Sequence, residues 1–411
     1  MEGACCTVLD RRLLAASPRP IALALSGGGD SVALLHAASG WAQAHGRPLV
    51  ALTVDHRLQP QSGAWTEACA GLAARLGVGF QALAWEGDKP VRGVPAAARA
   101  ARHRLLADAA RRLGAQVLLI GHTADDVLEA RAMRREGATT PEPREWSPSP
   151  AWPEGRGLFL LRPLLGVRRA ALRAWLTARA EHWIEDPANA DPRSARSRAR
   201  ASLKQEGEDV RPAVGEPLAL ARICRFDPAG GVGFPRAAFA EAAPAEAERL
   251  LGLACVCAGG GARLPAAAAL DRLAARLRAP GEVVATLAGA RIEASGEEVR
   301  ICREAGEARR GGLQPLRLAP GGPAVWDGRF ELAPAAAPLE VRALQGLARR
   351  LPEDQQRALA AWPPAARGAM PAVVDAAGAV SSPLLVASQV QARSLVEARL
   401  RAAAGLVDRE N

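Results

Sequence analysis

The sequence predicts an α/β protein whose N-terminal half is built on a parallel β-sheet, followed by a mainly helical domain and a small α+β domain toward the C-terminal end. Three features point there. Short apolar runs alternate with longer amphipathic stretches between residues 21 and 120, Ala- and Arg-rich helical segments take over beyond about residue 205, and strand-like runs return near the end.

Ile21 to Leu25, Leu49 to Val54, Phe80 to Trp85 and Val117 to Ile120 are the continuous apolar runs that strands covered on both faces require. Between them, Ser31 to His45, Trp65 to Leu76 and Pro95 to Leu113 space their apolar residues three and four apart, as helices packed on a sheet do. The last opens on proline, which suits a first helical position because its missing N–H would have no partner there. Residues 136 to 157 carry Pro141, Pro143, Pro148, Pro150 and Pro153, which predicts an exposed loop, and a helix from Arg168 to Glu181 follows. Further on, Ala237 to Cys255 and Pro265 to Arg278 predict helices. Val283 to Leu287 and Val299 to Cys302, with Gly289 and Gly296 between them, predict hairpin-like strands. From Leu339 a helical pattern leads to a short strand at Pro371 to Asp375. These changes of texture divide the chain into 1–205, 206–335 and 336–411.

A length of 411 residues is enough for several cores. The net charge of +10 favours a polyanionic partner, although Lys89 and Lys204 are the two lysines, so an arginine-rich composition explains the charge equally well. Seven cysteines, at 5, 6, 69, 224, 255, 257 and 302, form no CxxC pair and have no histidine at zinc-ligand spacing. They read as reduced, mostly buried thiols without a structural metal. No run approaches the roughly twenty apolar residues of a membrane span. The first residues, with Asp10, Arg11 and Arg12 after a short apolar segment, do not read as a secretory signal. A cytoplasmic protein with no membrane partner is expected.

Chemistry concentrates at four places. At Ser26-Gly27-Gly28-Gly29-Asp30-Ser31 a strand turns through glycines into a helix, so backbone N–H groups converge where a phosphate can sit. Ser26 and Ser31 add hydroxyl donors, and Asp30 is placed to hold Mg²⁺ or to fix the loop. Asp55 and His56 follow the next strand, at the same sheet edge. Arg99 and Arg102, three apart on a helix, share a face suited to phosphate, although taken singly such a pair is more often a solvated face. His122, Asp125, Asp126 and Glu129 gather three carboxylates and an imidazole at the start of another helix, where they could hold Mg²⁺ or an amine; helix capping is the alternative.

The glycine loop is neither a Walker A element, which needs Gly-Lys-Ser/Thr, nor a GxGxxG fingerprint. It resembles the SGGxDS element of the PP-loop ATP pyrophosphatases, whose domain is adenine nucleotide alpha hydrolase-like. All four places together, with Arg162-Pro163-Leu164-Leu165 and the segment from Trp183 to Pro192, resemble the tRNA(Ile)-lysidine synthase family. Ala285 to Glu304 and Val325 to Phe330 resemble its longer members more loosely.

The resemblance implies a ligase that forms a carbon–nitrogen bond. ATP adenylates O2 of the wobble cytidine in a tRNA(Ile) with a CAU anticodon, and free L-lysine then displaces AMP at C2. It places Ser26, Gly27, Gly28, Gly29, Asp30 and Ser31 around the pyrophosphate and Mg²⁺ on Asp30 and Asp126. The charge of the lysine falls to Asp125 or Glu129, and Arg99 and Arg102 lie near ATP or the cytidine. Asp55, His56 and His122 complete the nucleotide site, and a homodimer is left open. The sequence departs from the family at Val127, where Gln is usual, at Ala130, where Thr is usual, and at Arg134 to Ala138, where RGSG is usual. Ser197 also stands within a run in which RNR is common. The rival readings are another PP-loop enzyme such as a tRNA thiolase, which would need paired cysteines, and a non-catalytic RNA-binding relative.

Overall fold

The computed structural model describes residues 1–138, 141–185, 199, 216–334, 337–386 and 390–411. Contacts divide the chain into two compact units, Met1–Glu216 with Val407–Asn411, and Pro217–Leu406. The boundary expected near 205 lies outside the described residues. The boundary expected near 335 falls inside the second unit.

The first unit holds β1 (Ile21–Ala24), β2 (Leu49–Asp55), β3 (Gly79–Ala84), β4 (Val117–Leu119), β5 (Trp146–Pro148) and β6 (Phe159–Leu161), in the order β3-β2-β1-β4-β6-β5. Every neighbouring pair is parallel except β5 with β6. Its helices are α1 (Glu2–Arg12), α2 (Gly29–Ala44), α3 (Ser62–Arg75), α4 (Val94–Arg112), α5 (Ala124–Arg135) and α6 (Arg169–Thr177). The two-residue period of the strands sorts their side chains into two cores. Ile21, Leu23, Leu25, Val117, Leu119 and Leu161 pack with α1, α2, α3 and α6, whereas Ala22, Leu52, Leu118 and Leu160 pack with α4. Ala107, Ala109 and Ala110 of α4 are fully buried, so the alanine-rich composition supplies a close helix–sheet contact.

Strand order reverses between β1 and β4, because α2 and α3 lie on one face of the sheet and α4 on the other. Open α/β sheets bind ligands beyond the carboxyl ends of the strands at such a switch point. One segment differs from expectation: the proline-rich stretch after α5 contributes β5, an edge strand. Trp146 stacks on Phe159 with ring centroids 4.8 Å apart and donates its indole N–H to the Val407 carbonyl. An edge position tolerates Pro148, which lacks a ladder donor.

The second unit begins with a five-stranded sheet in which Val232–Pro235, Glu298–Arg303, Ala290–Ser295 and Val283–Leu287 run antiparallel side by side. Helices Pro244–Gly259 and Ala267–Arg278 cover it, packing Leu250, Leu251, Cys255 and Leu277 on Phe234, Ile292 and Ile301. The expected helix from Ala237 is divided, as Arg236–Glu241 and Pro244–Gly259, at Pro244. Ala290–Ser295 is a strand that the flanking glycines conceal in the sequence; they make its turns. A four-stranded and a three-stranded antiparallel sheet complete the unit, among them Ala324–Trp326, Phe330–Pro334 and Pro371–Val374. Arg303, Asp327 and Arg329 form a buried ion cluster there, with Asp327 accepting from both guanidiniums. No helix among the described residues is long and apolar enough to cross a membrane.

Candidate active site

The phosphate loop follows from its glycines. Gly27 has φ +80°, a left-handed conformation, and a Cβ there would lie 2.4 Å from Ile184 Cδ1. Gly28 caps α2, and the Ser31 hydroxyl donates to the Gly28 carbonyl at 2.8 Å while accepting from the Ser26 N–H at 3.2 Å. This rigid turn aims the start of a 16-residue helix past the end of β1. Gly121 closes it from β4: a Cβ would stand 3.0 Å from the Asp30 carbonyl and 3.1 Å from the Ser31 nitrogen. Glycine at 121 therefore lets two strand ends meet. The sequence marks it only as a glycine between a strand and His122.

A crevice of about 1010 Å³ opens over this loop. Ser26, Gly28, Gly29, Asp30, Ser31, Asp55, His56, Arg102, His122 and Asp126 line it, so most of the residues expected from sequence come together. Gly27 lies beneath, buried under Ile184. Arg99, Asp125 and Glu129 are not among the lining residues.

The three acids of α5 have separate tasks. Asp126 closes a capping box, accepting from the Thr123 N–H at 2.8 Å and its hydroxyl at 3.0 Å. Asp125 accepts from the Arg169 backbone N–H at 2.7 Å, so it anchors the start of α6. Glu129, 1% exposed, pairs with Arg169 Nη1 at 3.1 Å. Capping and charge gathering thus coexist.

Arg169 is the functional group that sequence reasoning overlooked. Its guanidinium pairs with Asp30 at 3.0 Å, Asp126 at 3.5 Å and Glu129 at 3.1 Å. The only sign of it is an arginine opening a helix soon after Arg162-Pro163-Leu164-Leu165. Burial would lower its pKa, but the three carboxylates outweigh burial and the net shift is upward. Burial raises the Asp30 carboxyl, against the pull of Arg169. Arg173, which lines the same crevice, also acts on Asp30. No set of three or more His, Cys, Asp or Glu groups able to hold a metal is found among the described residues. A metal here would have to share ligand oxygens, which is how Mg²⁺ is usually bound beside phosphates.

Arg102 brings positive charge to the crevice. Burial, reinforced by Arg102, Arg99 and Arg162, pushes His103 down to about 3. Burial and Arg102 also lower His56, whose buried Nδ1 has no hydrogen-bond partner among the described residues. Trp65, Leu52, Leu58 and Leu106 add an apolar side that can receive a base. Trp183 packs on Gly29, and Ile184 donates its N–H to the Gly27 carbonyl at 2.9 Å, so this segment seats the loop. Val127 and Ala130, the departures in α5, are buried, and Val127 packs with Ala124, Leu128 and Leu165. The motif residues from Asp186 to Pro192, Ser197 and the arginines 193, 196, 198 and 200 lie outside the described residues.

A PP-loop domain family model matches residues 7–207. The tRNA(Ile)-lysidine synthase of Caulobacter vibrioides is 47% identical over 415 residues, covering 98% of this chain and 97% of that protein. The tRNA(Ile)-lysidine synthase of Hyphomonas neptunium is 39% identical, covering 70% of this chain and 82% of that protein. The tRNA(Ile)-lysidine synthase of Rhizobium meliloti is 37% identical, with 76% and 73% covered.

Proposed function

The chain belongs to the tRNA(Ile)-lysidine synthases, and on that premise we propose how its own residues carry out the family's reaction, the ATP-dependent ligation of L-lysine to C2 of the wobble cytidine. Cytidine O2 attacks the α-phosphorus of ATP and pyrophosphate leaves. The lysine ε-amine then attacks C2, the C2–O bond breaks, AMP leaves, and the amine gives up a proton. An oxygen on a pyrimidine is a poor leaving group, and adenylation makes it a good one.

The observation that carries this reading is the glycine loop at the strand-order switch, facing both a carboxylate cluster and Arg102. Gly28, Gly29 and the Ser26 hydroxyl bind the pyrophosphate, while Ser31 holds the turn that presents them. Trp65, Leu106 and His56 receive a base. Mg²⁺ arriving with ATP would be held by Asp30 and Asp126 and would neutralise the departing pyrophosphate. Arg102 meets a phosphate or the cytidine. The ammonium of free L-lysine is drawn by Asp126 in competition with Arg169, while Glu129 acts through Arg169 and Asp125 through its hold on α6. The tRNA carries the CAU anticodon.

The test is incubation with ATP, labelled L-lysine and total tRNA. Label is expected in one isoleucine acceptor, and none if ATP is omitted. Incorporation into many tRNAs, or adenylation without lysine transfer, would overturn the assignment.

A further inference from the structure

Arg162 follows β6, next to the end of β4, and is 8% exposed. Its Nε donates to His122 Nδ1 at 2.9 Å, while Nη1 donates to the Arg144 carbonyl at 2.7 Å and to the Ser147 hydroxyl at 3.0 Å. Burial, with Arg99 adding to it, pushes the guanidinium down to about 10, so it is still charged at neutral pH.

A guanidinium has hydrogens and no lone pair, so the ring nitrogen facing it must be an acceptor. A neutral imidazole carries a single N–H, which then resides on Nε2. An imidazolium would set an N–H against the guanidinium. His122 lines the crevice directly after Gly121, whose missing Cβ leaves room for Asp30 and Ser31 of the phosphate loop.

We propose that Arg162 is a positioning residue that fixes His122 as the neutral Nε2–H tautomer, so that His122 serves as a hydrogen-bond donor to a phosphoryl oxygen of the nucleotide and not as the base for the lysine amine. The inference rests on the crevice being the ATP site. It has a consequence for the second step: the proton released as the carbon–nitrogen bond forms goes to another acceptor, and Asp126, at the start of α5, is a carboxylate that lines the crevice with His122.

The experiment uses the full chain labelled with ¹⁵N-histidine, whose six histidines give a spectrum simple enough to assign His122 with a His122→Asn variant. Long-range ¹⁵N–¹H correlations of the wild type are expected to show a pyridine-type Nδ1 and a pyrrole-type Nε2. In Arg162→Met that pattern should give way to mixed tautomers. Adenylation kcat should fall about tenfold to a hundredfold, by analogy with losing the hydrogen-bond partner of a metal-bound histidine, with KM for ATP moving less than about threefold. Arg162→Gln, whose amide N–H can still donate to Nδ1, should restore part of both. An Nδ1–H tautomer or an imidazolium in the wild-type spectrum overturns the proposal even if lysine transfer proceeds, and it does so whether or not any variant folds. An unchanged tautomer and rate in Arg162→Met overturn it as well. Failure of the wild type to transfer lysine would instead remove the functional reading, leaving the tautomer result intact.

Discussion

Replacing Asp327 by Asn should destabilise the second unit by nearly the cost of one broken buried ion pair. Asp327 Oδ1 and Oδ2 accept from Arg303 Nη2 and Nε at 2.8 and 2.9 Å, and Oδ2 also accepts from Arg329 Nε at 2.7 Å. The Arg303 and Arg329 side chains are only 7% and 1% exposed. Removing one partner of a buried pair typically costs about 3–5 kcal/mol, because a charge is left without compensation. Here one carboxylate serves two guanidiniums, which argues for more. Each keeps carbonyl acceptors, however: Ala229 and Ala369 for Arg329, and Gly289 for Arg303. We therefore expect about 3–5 kcal/mol in total, a large part of the roughly 5–15 kcal/mol that typically holds a domain folded. Asn is the informative substitute, since Asp327 has φ +51° and Asn tolerates that conformation, so the backbone is kept while the charge and one acceptor oxygen are lost. Urea unfolding followed by circular dichroism gives the free energy, and amide exchange in Phe330–Pro334 locates it. A loss below about 0.5 kcal/mol, the range of an ordinary surface substitution, would refute the reasoning.

Three further outcomes are expected. Asp30→Ala or Ser31→Ala should abolish tRNA-dependent ATP–pyrophosphate exchange with tRNA binding kept; wild-type exchange by both would remove the ATP assignment. His103 has a folded pKa of about 3 against an ordinary 6.5, so the unfolded chain binds the extra proton and stability falls as pH drops below 6.5. At about pH 5.5 this amounts to about 1.4 kcal/mol, and His103→Gln should lessen the acid loss by that much in pH-dependent melting; an unchanged acid limb would refute it. Substituting Arg196, Arg198 and Arg200 together by Ser should flatten the salt dependence of tRNA affinity measured by filter binding, because each lost phosphate contact releases fewer counterions; an unchanged slope puts the RNA elsewhere.

The loop and its partners were legible because their chemistry is local. Strand, glycine turn and helix adjoin in the chain, so the order of residues from Ser26 to Ser31 is enough to read an anion cradle. Arg169 was not legible, because its significance lies in three carboxylates from α2 and α5, one of them 139 residues away. Asp125 was expected to meet the lysine for the opposite reason: spacing puts it in the first turn of α5 beside Asp126, but the tertiary approach of α6 turns it from the crevice. The strand Ala290–Ser295 was hidden because its alternation of Ala, Arg, Ile and Glu is weak without its two neighbours.

The division of labour between the units calls for a deletion designed from the structure. Cutting the chain near Leu203 would also remove Glu410, which pairs with Arg47 at 2.9 Å with both side chains 1% exposed, and which accepts from the Leu14 N–H at 2.9 Å. Leaving Arg47 buried without its anion would cost about 3–5 kcal/mol, so failure of that truncation would say nothing about tRNA. The ends of the second unit offer an alternative, because Leu218 donates to the Ala404 carbonyl at 2.8 Å and a Cβ on Gly405 would lie 3.6 Å from Pro217 Cα. A short Gly/Ser linker can therefore replace residues 217–406 and keep the tail with Glu410 in place. Telling one tRNA from another needs contacts spread along the molecule, beyond what a crevice at one sheet edge can reach. The shortened protein should thus bind ATP nearly as the full chain does, yet lose selective tRNA binding and measurable lysine transfer, assayed on purified cognate and non-cognate tRNA. If it modifies the cognate at full rate and discriminates as well as the whole chain, the second unit has another task.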